Sequence, residues 1–200
     1  MTGGSEWDDH AADWDDDPAA RAYAGAAYAS LLEAAAAHDV ALADLSICDF
    51  GCGTGLLTER LVPHGVRIDA VDTSPAMLAG LDAKVAARGW SGVATHASLP
   101  SGGEGYHLIV CSSVLAFVDD HPAVVRDLVG RLLPGGLFAH WDWELDPDEA
   151  EPFGLTEPAI RDALRQAGLV DVRVGTGFEL PFDDQVMQPL MGVGVKPRSS

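Results

Sequence analysis

Asp49-Phe50-Gly51-Cys52-Gly53-Thr54-Gly55 sets a carboxylate beside three alternating glycines, a combination suited to holding a charged organic ligand against backbone N–H groups. Glycines remove Cβ atoms where a chain turns, so the backbone can take positive φ and a ligand can approach closely. The stretch before the turn, Leu45 to Phe50, is apolar, and the run after it, Leu56 to Val62, reads as a helix. A second carboxylate, Asp72, closes the next apolar run, Arg67-Ile68-Asp69-Ala70-Val71. An acid at that point of a doubly wound sheet is placed to accept both hydroxyls of a ribose.

The spacing separates two classes of ligand. A dinucleotide fingerprint reads G-x-G-x-x-G, and here Leu56 stands where its third glycine belongs. Asp49, two residues before the first glycine, would repel a pyrophosphate and attract a cofactor carrying an ammonium and a sulfonium. S-adenosylmethionine carries both. A nicotinamide-dependent Rossmann oxidoreductase is the alternative that these two residues disfavour.

On these residues the chain resembles the class I S-adenosylmethionine-dependent methyltransferases of the small, free-standing kind, and the resemblance covers nearly its whole length. Asp49 to Gly55 looks like the family's first motif and Val71-Asp72-Thr73-Ser74 its second. Tyr106-His107-Leu108-Ile109-Val110-Cys111-Ser112-Ser113-Val114-Leu115 is similar to the fourth-strand motif, and Leu132-Leu133-Pro134-Gly135-Gly136-Leu137-Phe138 to the turn before the fifth strand. Each alone is weak; four in order are specific.

The resemblance implies a cofactor, S-adenosylmethionine with S-adenosylhomocysteine as product, no metal, and a small-molecule methyl acceptor. It implies a cofactor site of Asp49, Gly51, Cys52, Gly53, Gly55, Asp72, Thr73, Met77, Ala97, Ser98 and Cys111, with Asp72 on the ribose and Thr73 and Met77 on the adenine. Met77 reads equally well as core filling. The third strand departs from the pattern. Many relatives carry an acid before a Leu-Pro pair, whereas Thr95-His96-Ala97-Ser98 precedes Leu99-Pro100 here, leaving adenine to the Ala97 backbone and the Ser98 hydroxyl. That gap keeps open a non-catalytic module that binds the nucleotide without transferring its methyl.

In-line displacement at an activated methyl needs mainly orientation, which supplies of order 7 to 11 kcal/mol in well-aligned systems. A general base adds to this only where the acceptor carries a proton. Two histidines are candidates: His121, beside Asp119 and Asp120, and His140 in His140-Trp141-Asp142-Trp143-Glu144. Strand alternation puts His140 and Asp142 on one face and Trp141 and Trp143 on the other. His140, approaching the carboxyl end of its strand, is the better base, and either histidine reads also as a satisfied core residue. His96 reads as a packing or capping residue. Trp7, Trp14, Ser112, Ser113, Phe117, the fifth-strand end and the acidic loop from Leu145 to Gly154 would form the acceptor pocket.

These residues need a scaffold, and the periodicities describe one. From Ala19 to Ala37, Tyr28, Leu31, Leu32 and Ala35 fall on one helical face. Ser74-Pro75 starts a helix with a capping hydroxyl and a proline at its first position, burying Leu78, Leu81 and Val85 before Gly89 stops it. Val93 to Ala97 reads as a third strand and Ser101-Gly102-Gly103-Glu104-Gly105 as a loop. A helix from about Pro122 to Leu132 turns Val124, Val125, Leu128 and Leu132 to the sheet, Gly136 to Trp143 is a fifth strand, and Thr156 caps a last helix, with Ile160, Leu164 and Ala167 on one face, that runs to Gly168. Val172 to Thr176 and Leu190 to Val195 complete seven strands. The predicted fold class is α/β: a Rossmann-like, doubly wound, mostly parallel seven-stranded sheet with helices on both faces, with the last strand antiparallel beside the fifth as the resemblance implies.

Residues 1–18 read as a flexible segment or, because Trp7-Asp8 and Trp14-Asp15 embed large aromatics in it, as a flap of the kind that similar family members close over the site. Residues 19–197 are expected to form one domain, which the resemblance makes a methyltransferase domain, of a size that buries roughly 70% of its unfolded surface. Thirty-one acidic against twelve basic residues, a formal charge of -19, argue against nucleic acid and anionic membrane partners. Cys48, Cys52 and Cys111 offer no CxxC spacing, so zinc and a disulfide framework are disfavoured and a cytoplasmic protein is expected. Nothing in the chain predicts an oligomeric state.

Overall fold

The computed structural model describes residues 7–148, 152–182 and 185–198. A seven-stranded sheet in the order β3-β2-β1-β4-β5-β9-β6 forms its centre. These strands are β1 (Leu45–Phe50), β2 (Gly65–Val71), β3 (Val93–His96), β4 (Tyr106–Ser112), β5 (Leu132–Asp142), β6 (Val170–Thr176) and β9 (Leu190–Val195). The first five run parallel; β9 lies antiparallel between β5 and β6, as expected. Two further strands, β7 (Leu180–Phe182) and β8 (Gln185–Met187), make a separate antiparallel hairpin inside the segment read as a plain connection. Three residues on each side give no periodicity from which a strand could be read.

Side-chain alternation sorts the core onto two faces. In β4, Leu108 and Val110 point to the side of helix α1 (Pro18–Ala37), where they join Ala27, Leu31, Ala35, Leu137, Ala139 and Trp141. Ile109 and Cys111 point to the opposite side, with Phe138, against Val125 and Leu128 of α4 (His121–Gly130) and Ile160 and Leu164 of α5 (Glu157–Gln166). Such fully buried aliphatic side chains each contribute about 1.5 to 3 kcal/mol. Leu32, expected on the buried face of α1, is instead 39% exposed, because Ala24, Ala27, Leu31 and Ala35 fill a stripe narrow enough to exclude it.

Helix ends follow local chemistry. Ser74 caps α3 (Pro75–Arg88) through the Met77 N–H, and Gly89 stops it at φ 66°. Thr156 caps α5 through Ala159. The helix expected over 56–62 contracts to α2 (Thr58–Leu61), since Leu56 and Leu57 are still within the glycine turn. Strand β5 begins at Leu132, four residues earlier than the pattern suggested, where Leu132 pairs with Tyr106 and takes the place expected for the end of α4. Among the described residues no helix is long and apolar enough to cross a membrane.

Candidate functional site

A cavity of about 340 Å³ opens beyond the carboxyl ends of β1, β2, β4 and β5, the position at which parallel sheets bind ligands. Its wall includes Asp49, Gly51, Cys52, Gly53, Asp72, Thr73 and Met77 from the expected cofactor set, and Trp7, Trp14, Ser112, Ser113 and Phe117 from the expected acceptor set. The parallel register accounts for the convergence: Asp49 pairs with Ala70 and Val110, so the chain leaves β1, β2 and β4 at one level.

The glycine turn takes positive φ at Gly51 (77°), Gly53 (53°) and Gly55 (86°). A Cβ at Gly51 would run into Val114, and one at Gly55 into Leu81, so both are packing glycines. Gly53 differs: a Cβ there would stand 3.8 Å from the Met77 sulfur and 4.0 Å from the Trp14 indole nitrogen, in space that a ligand can use. Gly53 donates its N–H to Asp72 Oδ2 at 2.8 Å while Ser74 donates its own to Oδ1 at 2.9 Å. Asp72 is thereby held with its remaining lone pairs on the cavity, where each carboxylate oxygen can still accept a hydroxyl.

Asp49 is 1% exposed and accepts the Thr58 hydroxyl at 2.6 Å. Burial raises its pKa from 3.8 to about 6, and neighbouring Asp72 adds to the rise while Thr58 opposes it. A cationic ligand beside Asp49 would lower that cost, which is the fit an ammonium group requires. Cys52 lines the cavity, with its thiol held well above the ordinary range mainly by burial. It is an inert wall, not a nucleophile.

Five expected residues lie elsewhere. Cys111 is fully buried among Phe50, Ile109 and Phe138 and is not part of the cavity wall. Ala97 and Ser98 are exposed beyond the end of β3, outside the cavity wall, and Gly55 serves the packing of Leu81. His140 is 1% exposed and off the cavity, with Nδ1 3.0 Å from Asp142 Oδ2. It fits because its antiparallel partner is Gly192, where any Cβ would strike the imidazole. Asp142 in turn accepts the Ala116 N–H at 3.0 Å, so the pair braces the turn that presents Phe117. His121 also sits off the cavity wall; burial and then His140 hold its pKa below the ordinary value. His96 meets Asp69 at 3.0 Å in a cluster completed by the Tyr106 hydroxyl.

Tyr23 and Met187 line the cavity and were not anticipated. The alanine stripe of α1, extended back in steps of four from Leu31 and Ala27, reaches Tyr23, so its direction was legible; that α1 begins over the carboxyl end of the sheet was not. Met187 lies on the unforeseen hairpin. The tryptophan segment is seated by carboxylates. Asp15 accepts the Thr54 hydroxyl at 2.7 Å and pairs with Lys84 at 2.6 Å, and Asp8 accepts from the Ser74 hydroxyl and the Ala76 N–H. Trp7 stands edge-on to Trp14 at 6.0 Å and to Phe117 at 5.3 Å. Among the described residues no group of three His, Cys, Asp or Glu could hold a metal ion.

Residues 48–138, from within β1 into β5, match a family described as a methyltransferase domain. Over this stretch the chain is similar to that methyltransferase family. The chain is 33% identical over 98 residues to a ubiquinone biosynthesis O-methyltransferase of Methylobacterium nodulans, a match covering 47% of the present chain and 39% of the other. The chain thus spans about two fifths of the length of such relatives. The N-methyltransferase NodS from Bradyrhizobium japonicum WM9, crystallised with S-adenosyl-l-homocysteine, superposes with a TM-score of 0.71 at 22% identity, over 92% of this chain and 90% of that one. The magnesium protoporphyrin IX methyltransferase ChlM from Synechocystis PCC 6803, with bound SAM, gives 0.67 at 19% identity over 88% and 80%. At these identities the two structures support the fold alone.

Proposed function

We propose that the chain binds S-adenosylmethionine between Asp49, Gly53, Asp72 and Met77 and transfers its methyl group to a small-molecule acceptor. The observation that carries this reading is one cavity in which the carboxylates of the first two strand ends face an aromatic compartment beyond β4 and β5. When bound, S-adenosylmethionine supplies an activated methyl: the acceptor lone pair forms the new bond to that carbon as the carbon–sulfur pair leaves on sulfur. The chain's own residues bind and orient. Asp72 would accept the ribose hydroxyls, Met77 and Thr73 would pack on adenine, and Asp49 with the Gly51–Gly53 backbone would meet the methionine end.

In this reading the described part of the 1–18 segment, from Trp7 onward, acts as a flap over a domain spanning 19–197, and residues 1–6 lie outside the described residues. The described part supports it, since Asp8 and Asp15 dock on Ser74, Thr54 and Lys84 and bring Trp7 and Trp14 over the cavity. His140 has no part in proton transfer. Three buried free cysteines fit a reducing, cytoplasmic setting, and a charge of -19 fits an acceptor that is neither nucleic acid nor an anionic membrane lipid.

Calorimetry with S-adenosylmethionine and S-adenosylhomocysteine tests the first half. Binding of both is expected, and folded protein that binds neither ends the proposal. A screen over phenols, thiols, amines and carboxylates, read by mass spectrometry for a gain of one methyl group, tests the second. Binding without turnover of any acceptor would favour a non-catalytic module.

A further inference from the structure

The cavity has two ends, and strand order tells them apart. Asp72 and Thr73 follow β2, on one side of the glycine turn; Ser112 and Ser113 at the end of β4 and Trp143 after β5 lie on the other. That second end has an aromatic wall from which the phenol of Tyr23 stands out, beside the hydroxyls of Ser112 and Ser113. Its ring is tilted against Trp143 at 5.8 Å and edge-on to Phe178 at 5.0 Å, so its direction is set. Ser113 donates its hydroxyl to the Tyr23 oxygen at 3.0 Å, which leaves the Tyr23 proton for another partner. Burial holds the phenol far above its ordinary range, so it remains an O–H donor rather than a base.

Ser113 is itself unusual. Four residues other than glycine take positive φ in the described chain, and three, Asp39, Asp44 and Asp171, are of a type that tolerates it. Ser113, at 56°, is the fourth and the one on the cavity wall, anchored by its N–H to the Trp141 carbonyl at 2.7 Å. Strain of this kind persists where the surroundings enforce it, and here it aims the serine hydroxyl at Tyr23.

We propose that the Tyr23 hydroxyl, oriented by Ser113, is the polar recognition point for the methyl acceptor, and that the acceptor is a planar ring bearing a hydroxyl or carbonyl oxygen. The aromatic walls take the faces of the ring, and the Tyr23 proton is donated to its oxygen. Tyr23 would touch the acceptor, and Ser113 is a positioning residue. The inference rests on the methyl-transfer reading of the cavity and deepens it.

Ligand-observed NMR titration of the full chain with phenol, benzaldehyde and toluene, each with and without saturating S-adenosylhomocysteine, tests it. Wild-type protein is expected to bind phenol and benzaldehyde at least fivefold more tightly than toluene. Tyr23→Phe keeps the ring packing and should abolish that preference, leaving toluene and S-adenosylhomocysteine affinities unchanged. Ser113→Gly separates recognition from structure: relief of the positive φ should raise the melting temperature while the preference for oxygen falls. A preference that survives Tyr23→Phe, binding of none of the rings, or a loss of S-adenosylhomocysteine affinity in Tyr23→Phe would overturn the assignment. Failure of S-adenosylhomocysteine to bind folded wild-type protein would instead remove the underlying reading, and the ring preference is then still judged from the arm without it.

Discussion

Gly53 and Asp72, nineteen positions apart, are joined by a hydrogen bond of 2.8 Å from the glycine N–H to the carboxylate. The bond ties the turn after β1 to the end of β2, and the same carboxylate binds the Ser74 N–H at 2.9 Å. One side chain therefore shapes the cradle and faces the cavity.

Replacing Asp72 should separate these roles. Asp72→Ala removes the acceptors of two internal hydrogen bonds and the proposed ribose ligand, each charge-assisted bond contributing about 1.5 to 3 kcal/mol, so S-adenosylhomocysteine affinity should fall by tenfold or more. Asp72→Asn keeps one acceptor oxygen and should lose less. Calorimetry of both variants against wild type reads the difference.

The raised pKa of Asp49 makes a signed prediction. An acid whose folded pKa exceeds its unfolded value holds more protons when folded between pH 3.8 and about 6, so its contribution to stability falls as pH rises through that window. Above pH 6 the full cost, of order 3 kcal/mol, applies to the ligand-free protein. Asp49→Asn should therefore be more stable than wild type at pH 7.5 and show little difference at pH 3.5, measured by thermal unfolding of the two proteins side by side. S-adenosylmethionine affinity of the wild type should rise with pH across the same window.

His140 and Asp142 should behave as structural residues. Both are essentially inaccessible, and Asp142→Ala strands an imidazole and the Ala116 N–H in the core. Breaking such a buried pair costs about 3 to 5 kcal/mol, visible as a lowered midpoint in urea. His140→Asn should be destabilised too, yet leave the pH profile of any methyl transfer unmoved.

The Lys84–Asp15 contact should govern ligand release. Its charges are partly screened, with Asp15 38% exposed, so a loss of about 0 to 1 kcal/mol is expected on breaking it. Lys84→Ala should speed dissociation of S-adenosylhomocysteine by up to about fivefold, read by stopped-flow tryptophan fluorescence, and the wild-type rate should rise with salt.

Much of this was legible in the chain. Glycine alternation, the Ser74-Pro75 cap and the carboxylate ending β2 are local signals, and each produced the structure its chemistry demands. Period-two alternation correctly separated His140 from Trp141. It could not say which face of β5 met the ligand, because both faces of a central parallel strand are buried.

The sequence by itself determined the sheet, the glycine turn and the two carboxylates beside it, since these rest on backbone freedom and short-range periodicity. Only the tertiary structure decided that Cys111 and His140 turn into the far layer, that Ala97 and Ser98 fall outside the cavity, and that Tyr23 and Met187 enter it. Those outcomes depend on where one element stops against another. A helix face is readable from spacing, but the point at which α1 overhangs the end of β4 is set by packing between residues some ninety positions apart, Tyr23 and Ser113 among them.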